Sequence, residues 1–322
     1  MNFKAIEFLK SGNLEIQDYD LDLDSALQSF NKYLEVNLKR IIGFNNALFL
    51  SGGIDSSILA YKLNDLRIDF KALIIANEKE PDYRNAIEIA DKLDIEINEI
   101  KLTLDKFENI IPEVIKILSD TEEKQVNIAA PFLLGAKYLQ KKGFEIAILG
   151  QGADELFCGY QRYVDFLQVN PDQFKEFHLN DIKESVLQNF TRDNAIFSNY
   201  GIKICLPYFT ENIIKLALSI PVKFLVNNEV KSPIKKFFLR EYAKKLGIPK
   251  IIHEKKKIAI QFGSGSYKLL RKIALKNGFT KEISEKFGYR RHVQLYLDYL
   301  AQELGIKELG LNIDEITRIL KI

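Results

Sequence analysis

Residues 47–57 of the chain, ALFLSGGIDSS, determine the kind of fold that the rest of the sequence can adopt. Ala47–Leu50 is a short apolar run of the kind that forms a buried strand. Ser51–Gly53 follows it directly and predicts a tight turn. A helix can then run from Ser56 to Asn64. This order of strand, turn and helix predicts one unit of an α/β fold with a parallel sheet.

The turn has the chemistry of a phosphate-binding loop. Gly52 and Gly53 let backbone N–H groups approach a polyphosphate, the neighbouring serines add hydroxyl donors, and the helix N-terminus adds the positive end of its dipole. Asp55 is negative and cannot bind phosphate itself, so we interpret it as a ligand for Mg²⁺. The alternative is a structural turn whose Asp and Ser residues only cap the helix. The segment has neither the Walker A pattern nor the G-x-G-x-x-G dinucleotide pattern.

The alternation of strands and helices continues outward from this segment. Apolar runs predict further strands at residues 70–76, 95–102 and 145–149. Apolar residues at helical spacing predict helices at residues 25–42, 83–93, 104–118, 131–142, 293–303 and 313–322. We therefore predict an α/β fold: a doubly wound parallel sheet followed, beyond about residue 160, by a helical C-terminal half.

Composition narrows the class of protein. The 46 Lys and Arg against 44 Asp and Glu give a net charge of +2, which leaves no broad positive field for nucleic acid or an anionic membrane. No run of about 18 apolar residues and no signal-peptide pattern occurs. Cys158 and Cys205 are too few for a disulfide framework or a four-thiolate zinc site. We expect a soluble, cytoplasmic protein without a nucleic-acid or membrane partner.

A second glycine-containing segment follows the strand predicted at 145–149. Residues 149–160 are LGQGADELFCGY, so Gly150–Gly152 forms a turn at the carboxyl end of that strand. Ligands of parallel α/β sheets bind beyond the carboxyl ends of the strands. We therefore expect the two glycine turns to face one site.

The two segments resemble those of a known group of enzymes. SGGIDSS is similar to the pyrophosphate loop of the ATP pyrophosphatases, which cleave ATP to AMP and pyrophosphate while adenylating a substrate. LGQGADELFCGY resembles the G-E-G-S-D-E-x-F-G-G-Y segment in the synthetase domain of asparagine synthetase, whose relatives include β-lactam synthetase. Three shorter segments also match: Pro81–Asp82, Leu206–Tyr208 and Lys236–Glu241. The resemblance implies an adenine nucleotide alpha-hydrolase-like fold for residues 23–270, between an N-terminal extension (1–22) and a helical C-terminal extension (271–322).

The resemblance also implies roles for individual residues. Four residues would contact the nucleotide, ATP: Phe49, Ile75, Leu149 and Gly150. Five would hold its pyrophosphate: Ser51, Gly52, Gly53, Asp55 and Ser56. Asp55 and Asp154 would bind Mg²⁺. For Asp154 and Glu155 the alternative is an acidic pair that stabilises a helix N-terminus.

Lys236 matches the lysine that stabilises charge on the departing pyrophosphate in this family. The local pattern predicts a helix with Ser232 as N-cap, Pro233 in the first turn and Gly247 as the stop, so that Lys236 and Arg240 share a face. The alternative is a solvated basic face. Further on, Lys255–Lys257 and residues 261–266 match a basic, glycine-containing loop near the family's site, without individual roles.

Several positions depart from the family pattern. Gln151 stands where the family has a catalytic Glu; an amide cannot act as a general base, but it can orient ammonia or a carbonyl by hydrogen bonds. Cys205 and Thr210 replace an Arg and an Asp, and Cys158 replaces a Gly. The lost arginine would have been a bidentate partner for an anion, so the identity of the acceptor acid is open.

Three hypotheses follow. The first is an AMP- and pyrophosphate-forming amide ligase that adenylates a carboxylic acid, aspartate by analogy, for attack by ammonia. The second is the same adenylation of a different acid, in the manner of β-lactam synthetase; Gln151, Cys205 and Thr210 favour it. The third is a nucleotide-binding subunit without turnover. The chain begins Met1-Asn2 instead of with the family's processed cysteine, so ammonia is expected from solution or from a separate glutaminase subunit.

Overall fold

A computed structural model describes residues 2–11, 21–41, 45–230, 232–254 and 260–320. Within them the chain forms a five-stranded sheet with strand order β3-β2-β1-β4-β5, and every pair of neighbouring strands is parallel. The strands are β1 (Asn46–Phe49), β2 (Lys71–Ala76), β3 (Ile97–Lys101), β4 (Ile146–Ile148) and β5 (Lys203–Cys205). Ala47 of β1 pairs with Lys71 on one side and with Ala147 on the other.

The strand order reverses between β1 and β4. From β1 the chain adds β2 and β3 on one side, then returns to place β4 and β5 on the other. Because crossovers between parallel strands are right-handed, the helices of the two halves cover opposite faces of the sheet. Strands β1, β2 and β4 are therefore largely buried, as their apolar runs require. The fold class is the predicted one, a doubly wound parallel sheet.

Helices make up most of the rest of the described chain. Those up to β4 are α1 (Asn2–Lys10), α2 (Leu23–Lys39), α3 (Ile54–Asp65), α4 (Pro81–Leu93), α5 (Leu104–Leu118) and α6 (Glu123–Lys142). Those after β4 are α7 (Ala153–Leu156), α8 (Gln161–Val169), α9 (Phe174–Ser198), α10 (Glu211–Ser219), α11 (Val222–Leu225), α12 (Phe237–Lys245), α13 (Lys250–His253), α14 (Ile260–Gly263), α15 (Ser266–Lys276), α16 (Lys281–Lys286), α17 (His292–Glu303) and α18 (Ile313–Leu320). The helical C-terminal half is thus confirmed, and none of these helices is both long and apolar enough to cross a bilayer.

Two predicted helices begin elsewhere. The helix expected to begin at Pro131 begins at Glu123, with Pro131 in its interior. The helix expected to begin after Ser232 begins at Phe237, because residue 234 instead forms an antiparallel bridge with Asn227. Strand β5 was not predicted.

Buried His178 on α9 is expected to make the fold less stable in acid. The side chain is 2% exposed, and its Nε2 lies 2.8 Å from the carbonyl oxygen of Glu155, which can only accept, so Nε2 carries the proton. Burial lowers the pKa of His178 to about 4. The unfolded chain, with a pKa near 6.5, therefore binds a proton that the folded chain excludes between these two values.

We expect this histidine to remove about 2 kcal/mol from the free energy of unfolding between pH 7 and pH 5. Its stabilising contribution is complete above the unfolded pKa and is lost as the pH falls toward 4. Urea unfolding of the wild type and of His178→Gln, which keeps an N–H donor but does not titrate, measures the difference. An identical pH dependence in the two proteins would contradict the assignment.

Candidate active site

A cavity opens where β1 and β4 end side by side, at the reversal of the strand order. Most of its walls come from the segments that follow β1, β2 and β4, the place where ligands of such sheets bind. The lining residues are Phe49, Leu50, Ser51, Asp55, Ser56, Leu73, Ile74, Ile75, Ala76, Asp82, Pro131, Phe132, Leu149, Gly150, Gln151, Asp154 and Ser264. The structure thus brings both predicted glycine turns to one site.

The turn after β1 is held by its own serines. The Ser51 N–H donates to the Ser56 hydroxyl at 3.1 Å, and the Ser56 and Ser57 hydroxyls donate to the carbonyl oxygen of Gly53 at 3.2 and 2.6 Å. Gly53 is the N-cap of α3 and, as a glycine, has no side chain with which to cap the helix. The N-cap is thus Gly53 and not Asp55, which lies in the first turn of α3, near the positive end of the helix dipole.

Gly52 is the residue that this turn requires. Its φ is +67°, and a Cβ there would lie 2.6 Å from the carbonyl oxygen of Asp82 and 2.8 Å from the backbone nitrogen of Ala86. The turn therefore packs directly on the first turns of α4, and only glycine combines this backbone conformation with this close approach.

The two predicted carboxylates meet at a buried lysine. The Lys236 ammonium donates to Asp55 Oδ1 and Oδ2 at 2.7 and 2.6 Å, and lies 2.7 Å from Asp154 Oδ1. Its side chain is 1% exposed, against 16% and 13% for the two carboxylates. A lysine at this depth is stable only because carboxylates pair with it. The alternative of a solvated basic face is therefore wrong for Lys236.

Lys236 reaches this position through its backbone. It lies in the left-handed region (φ 54°) immediately before α12, so it does not share a helix face with Arg240. Arg240 instead donates from Nε to the Lys235 carbonyl oxygen at 2.8 Å and from Nη1 to the carbonyl oxygen of His253. Arg240 therefore links the backbone before α12, at Lys235, to the backbone of α13, at His253. This link helps to fix the backbone next to Lys236.

One wall of the cavity is apolar. Phe49 meets Phe132 and Phe197 edge to face, with ring centroids 5.7 and 5.3 Å apart. Ile75 and Leu149 complete this wall on either side of Phe49. An apolar slot next to a turn that presents N–H groups suits a ligand with a flat, weakly polar end and an anionic end.

Gln151 belongs to a buried polar network that the sequence did not predict. Its Nε2 donates to Asp193 Oδ2 at 3.0 Å, while Asp193 Oδ1 accepts from Arg192 Nε at 2.8 Å. Asp193 is 0% exposed, and burial raises its pKa while Arg192 opposes the shift. Arg192 also donates to Gln125 and Asn189 at 3.1 and 3.0 Å. The network ties the second glycine turn to α6 and α9.

Of the positions that depart from the family pattern, Gln151 lines the cavity, whereas Cys158, Cys205 and Thr210 do not. Cys205 is buried at the end of β5, and burial raises its pKa to about 12, so its thiol is protonated at neutral pH. Thr210 accepts a hydrogen bond from Asn37 at 2.8 Å. Burial also raises the pKa of Cys158 well above its usual value. Lys255–Lys257 lie outside the described residues, as does the side chain of Gln261.

Some lining residues carried little signal in the sequence. In the sequence, Asp82 belongs only to a two-residue match, and Ser264 only to a loop without individual roles. Ser264 accepts from the Asn77 N–H at 3.0 Å through its carbonyl oxygen, which fixes this loop at the end of β2. Phe132 and Asp193 belong to helices whose interior residues have no motif of their own. Only the tertiary structure brings these residues to the site.

The donor set fits a divalent cation that also binds phosphate. Among the described residues no group of three His, Cys, Asp or Glu side chains could hold a metal ion. Mg²⁺ sites commonly use only one or two carboxylates, with water and substrate phosphates as the other ligands. Asp55 and Asp154 both lie within 2.7 Å of the Lys236 ammonium, so the two carboxylates are close enough together to bind one cation.

Comparison with known proteins supports the resemblance of the two glycine-containing segments. Residues 44–200 match the family model described as asparagine synthase. The putative asparagine synthetase (glutamine-hydrolyzing) 1 of Methanocaldococcus jannaschii is 25% identical over 280 residues, 78% of this chain and 51% of that protein. Asparagine synthetase (glutamine-hydrolyzing) 2 of Oryza sativa subsp. japonica is 26% identical over 223 residues, 66% of this chain and 37% of that protein. The chain thus spans about half the length of these relatives, or less.

Among solved structures, the NMN synthetase of Francisella tularensis aligns with 91% of this chain and 99% of its own, at 16% sequence identity and a TM-score of 0.42.

Proposed function

We propose, from the match of residues 44–200 to asparagine synthase, that this protein is an ATP-dependent ligase that forms an amide. In the finer form of the proposal, it adenylates a carboxylic acid, releases pyrophosphate, and transfers the acyl group to ammonia. The observation that carries the proposal is the pairing of Lys236 with Asp55 and Asp154 beside the turn at Ser51–Gly53. A protein that only bound adenine would not need this charged apparatus.

The proposed roles follow the position of each residue in or next to the cavity. Phe49, Ile75, Leu149 and Gly150 would contact the nucleotide, the first three through the apolar wall. Ser51, Gly52, Gly53, Asp55 and Ser56 would surround the pyrophosphate at the N-terminus of α3, where N–H groups and the helix dipole favour anions. Lys236 would stabilise the charge that develops on the departing pyrophosphate.

Asp55 and Asp154 would hold Mg²⁺ together with the phosphates of ATP. When bound, the metal would neutralise part of the phosphate charge. Lys236 already pairs with both carboxylates, so its ammonium would have to share them with the metal or turn toward the phosphates.

The chemistry consists of two displacements. An oxygen of the acid attacks the α-phosphorus of ATP, the new O–P bond forms, and pyrophosphate leaves with the electrons of the broken bond. The nitrogen of ammonia then attacks the acyl carbon, AMP leaves with the electrons of the broken C–O bond, and the nitrogen loses a proton to water. Preorganised donors that act on developing charge contribute about 3 kcal/mol each, or about 100-fold in rate.

The test is the formation of AMP and pyrophosphate from Mg-ATP and ammonium with aspartate and with a panel of other carboxylic acids. Aspartate-dependent AMP, with asparagine as the product, is the result expected by analogy. If the protein binds ATP but forms no AMP or pyrophosphate with any acid, the proposed catalysis is overturned and a non-catalytic subunit is favoured.

A different acceptor acid is the second candidate. It is favoured by the positions of Cys205 and Thr210, which replace an Arg and an Asp of the family and lie outside the residues that line the cavity. The same assay distinguishes aspartate from another acceptor acid. Release of pyrophosphate with another acid would identify a different substrate for the same mechanism.

A further inference from the structure

The Gln151 side chain is held in one orientation by its partner. Asp193 accepts from Gln151 Nε2 on one oxygen and from Arg192 Nε and Nη2 on the other, at 3.0, 2.8 and 2.8 Å. A carboxyl group that accepts from three N–H donors is best satisfied in its ionised form, and an ionised carboxylate can only accept hydrogen bonds. The NH₂ group of Gln151 must therefore face Asp193, which settles the direction of the amide on chemical grounds.

This orientation leaves the amide oxygen for the cavity. Gln151 lines both the active-site cavity and a small neighbouring cavity that Asp193 also lines. Within the described part of the chain no group donates to Oε1, and Oε1 is not among the buried atoms that lack a partner, so it is open to solvent. The site thus presents a fixed, neutral hydrogen-bond acceptor where the family presents a carboxylate.

We propose that Asp193 is a positioning residue that aims Gln151 Oε1 at the incoming nitrogen nucleophile. This inference rests on the proposed function and concerns its second displacement. An acceptor that binds one N–H of ammonia directs the nitrogen lone pair toward the acyl carbon. As the N–C bond forms, the nitrogen becomes positive and this hydrogen bond strengthens, so the transition state gains more than the ground state. Gln151 takes no proton; the proton goes to water.

The pairing also predicts that the family's residue will not function here by itself. Gln151→Glu would place a second carboxylate at hydrogen-bond distance from the buried Asp193, and two such charges cannot both be ionised without cost. Asp193→Asn alone would leave Arg192 without its counter-charge and would free the Gln151 amide to turn. In the double variant the new amide at 193 can accept from Arg192 and donate to the new carboxylate at 151, so the charge and the hydrogen bonds are restored.

The experiment compares the wild type, both single variants and the double variant in two assays. Acid-dependent exchange of pyrophosphate into ATP reports the first displacement, and amide formation at varied ammonium reports the second. We expect each single substitution to lower amide formation by about 100-fold while exchange changes less than about threefold, and the double variant to recover most of the loss. The matched control is Gln161→Glu, which changes a similar but exposed Gln–Asp pair and should leave both assays unchanged.

Gln151→Met covers the case in which Asp193→Asn does not fold, because it keeps the Arg192–Asp193 pair intact. It should raise the KM for ammonium and lower amide formation while exchange continues. The positioning role would be overturned if the loss of amide formation in the double variant equalled the product of the losses in the two single variants. It would also be overturned if a variant lost amide formation and pyrophosphate exchange to the same extent. Wild-type amide formation by Gln151→Met would overturn it as well. An absence of exchange in the wild type would instead overturn the proposed function, and this inference with it.

Discussion

Replacing Asp55 with alanine is expected to reduce pyrophosphate release from Mg-ATP by at least about 100-fold. Both oxygens of this carboxylate accept from the Lys236 ammonium, and the residue lies in the first turn of α3 beside the proposed pyrophosphate site. Alanine removes a proposed metal ligand and one of the two groups that orient Lys236. The loss should appear in kcat, because Asp154 still pairs with Lys236 at 2.7 Å and keeps the site assembled.

The matched control is Asp65→Ala at the other end of the same helix. Asp65 pairs with Lys62 at 3.0 Å and its side chain is 67% exposed, so its removal changes the charge of α3 by the same amount away from the cavity. Pyrophosphate release should remain at the wild-type level in this variant. Near-normal release by a folded Asp55→Ala protein would exclude the proposed role of the turn at Ser51–Gly53.

The part of the site that the sequence could predict is the part that local motifs encode. The turns at Ser51–Gly53 and Gly150–Gly152 each follow a short apolar run, and parallel strands place their carboxyl ends at one edge of the sheet. The meeting of Asp55 with Asp154 follows from this topology alone. Eight of the ten residues singled out for the nucleotide and the metal line the active-site cavity, and the other two, Gly52 and Gly53, lie between the lining residues Ser51 and Asp55.

The start of α6, which the sequence places at Pro131 and the structure at Glu123, shows why other parts of the fold could not be predicted. Proline has no N–H group, so Pro131 cannot donate to the carbonyl oxygen of Asn127 one turn earlier, and proline is common in the first turn of a helix. In the structure that carbonyl oxygen accepts from the Ser266 hydroxyl at 3.0 Å. The compensating partner comes from 139 positions away in the sequence. A long-range contact thus overrides a sound local rule.

The prediction that Lys236 lies within a helix was wrong for a related reason. Ser232 and Pro233 are a good local start for a helix. The backbone instead pairs Ile234 with Asn227 through two hydrogen bonds of 3.0 and 2.8 Å. Lys236 then adopts a left-handed conformation at the point where its ammonium meets two carboxylates from other segments. The ion pairs compensate for the unfavourable φ. The sequence within a few residues of Lys236 does not predict these ion pairs, because both partners come from distant segments.

Replacing Gly159 with alanine is expected to disable the site without removing any of its charged groups. The Cβ added at this position would overlap Asp154 Oδ1 and would lie 2.5 Å from Lys236 Cε. Gly159 does not have a positive φ, so the constraint is space and not backbone conformation. Either Asp154 or Lys236 must move, and the contact between them is then lost. A displacement of about 1 Å at reacting groups can cost about 100-fold in rate, and overpacking costs about 1–3 kcal/mol in stability.

The control separates these two effects. Gly201 has a φ of +68° and open space around its Cα, so Gly201→Ala introduces backbone strain of about 1 kcal/mol without touching the cavity. Comparing the free energy of unfolding with the rate of pyrophosphate release in both variants shows whether activity follows stability. We expect Gly201→Ala to be less stable and fully active, and Gly159→Ala to lose activity out of proportion to its stability. Equal activity in the two variants would mean that the pairing of Asp154 with Lys236 is dispensable, and Lys236 would then need a different role.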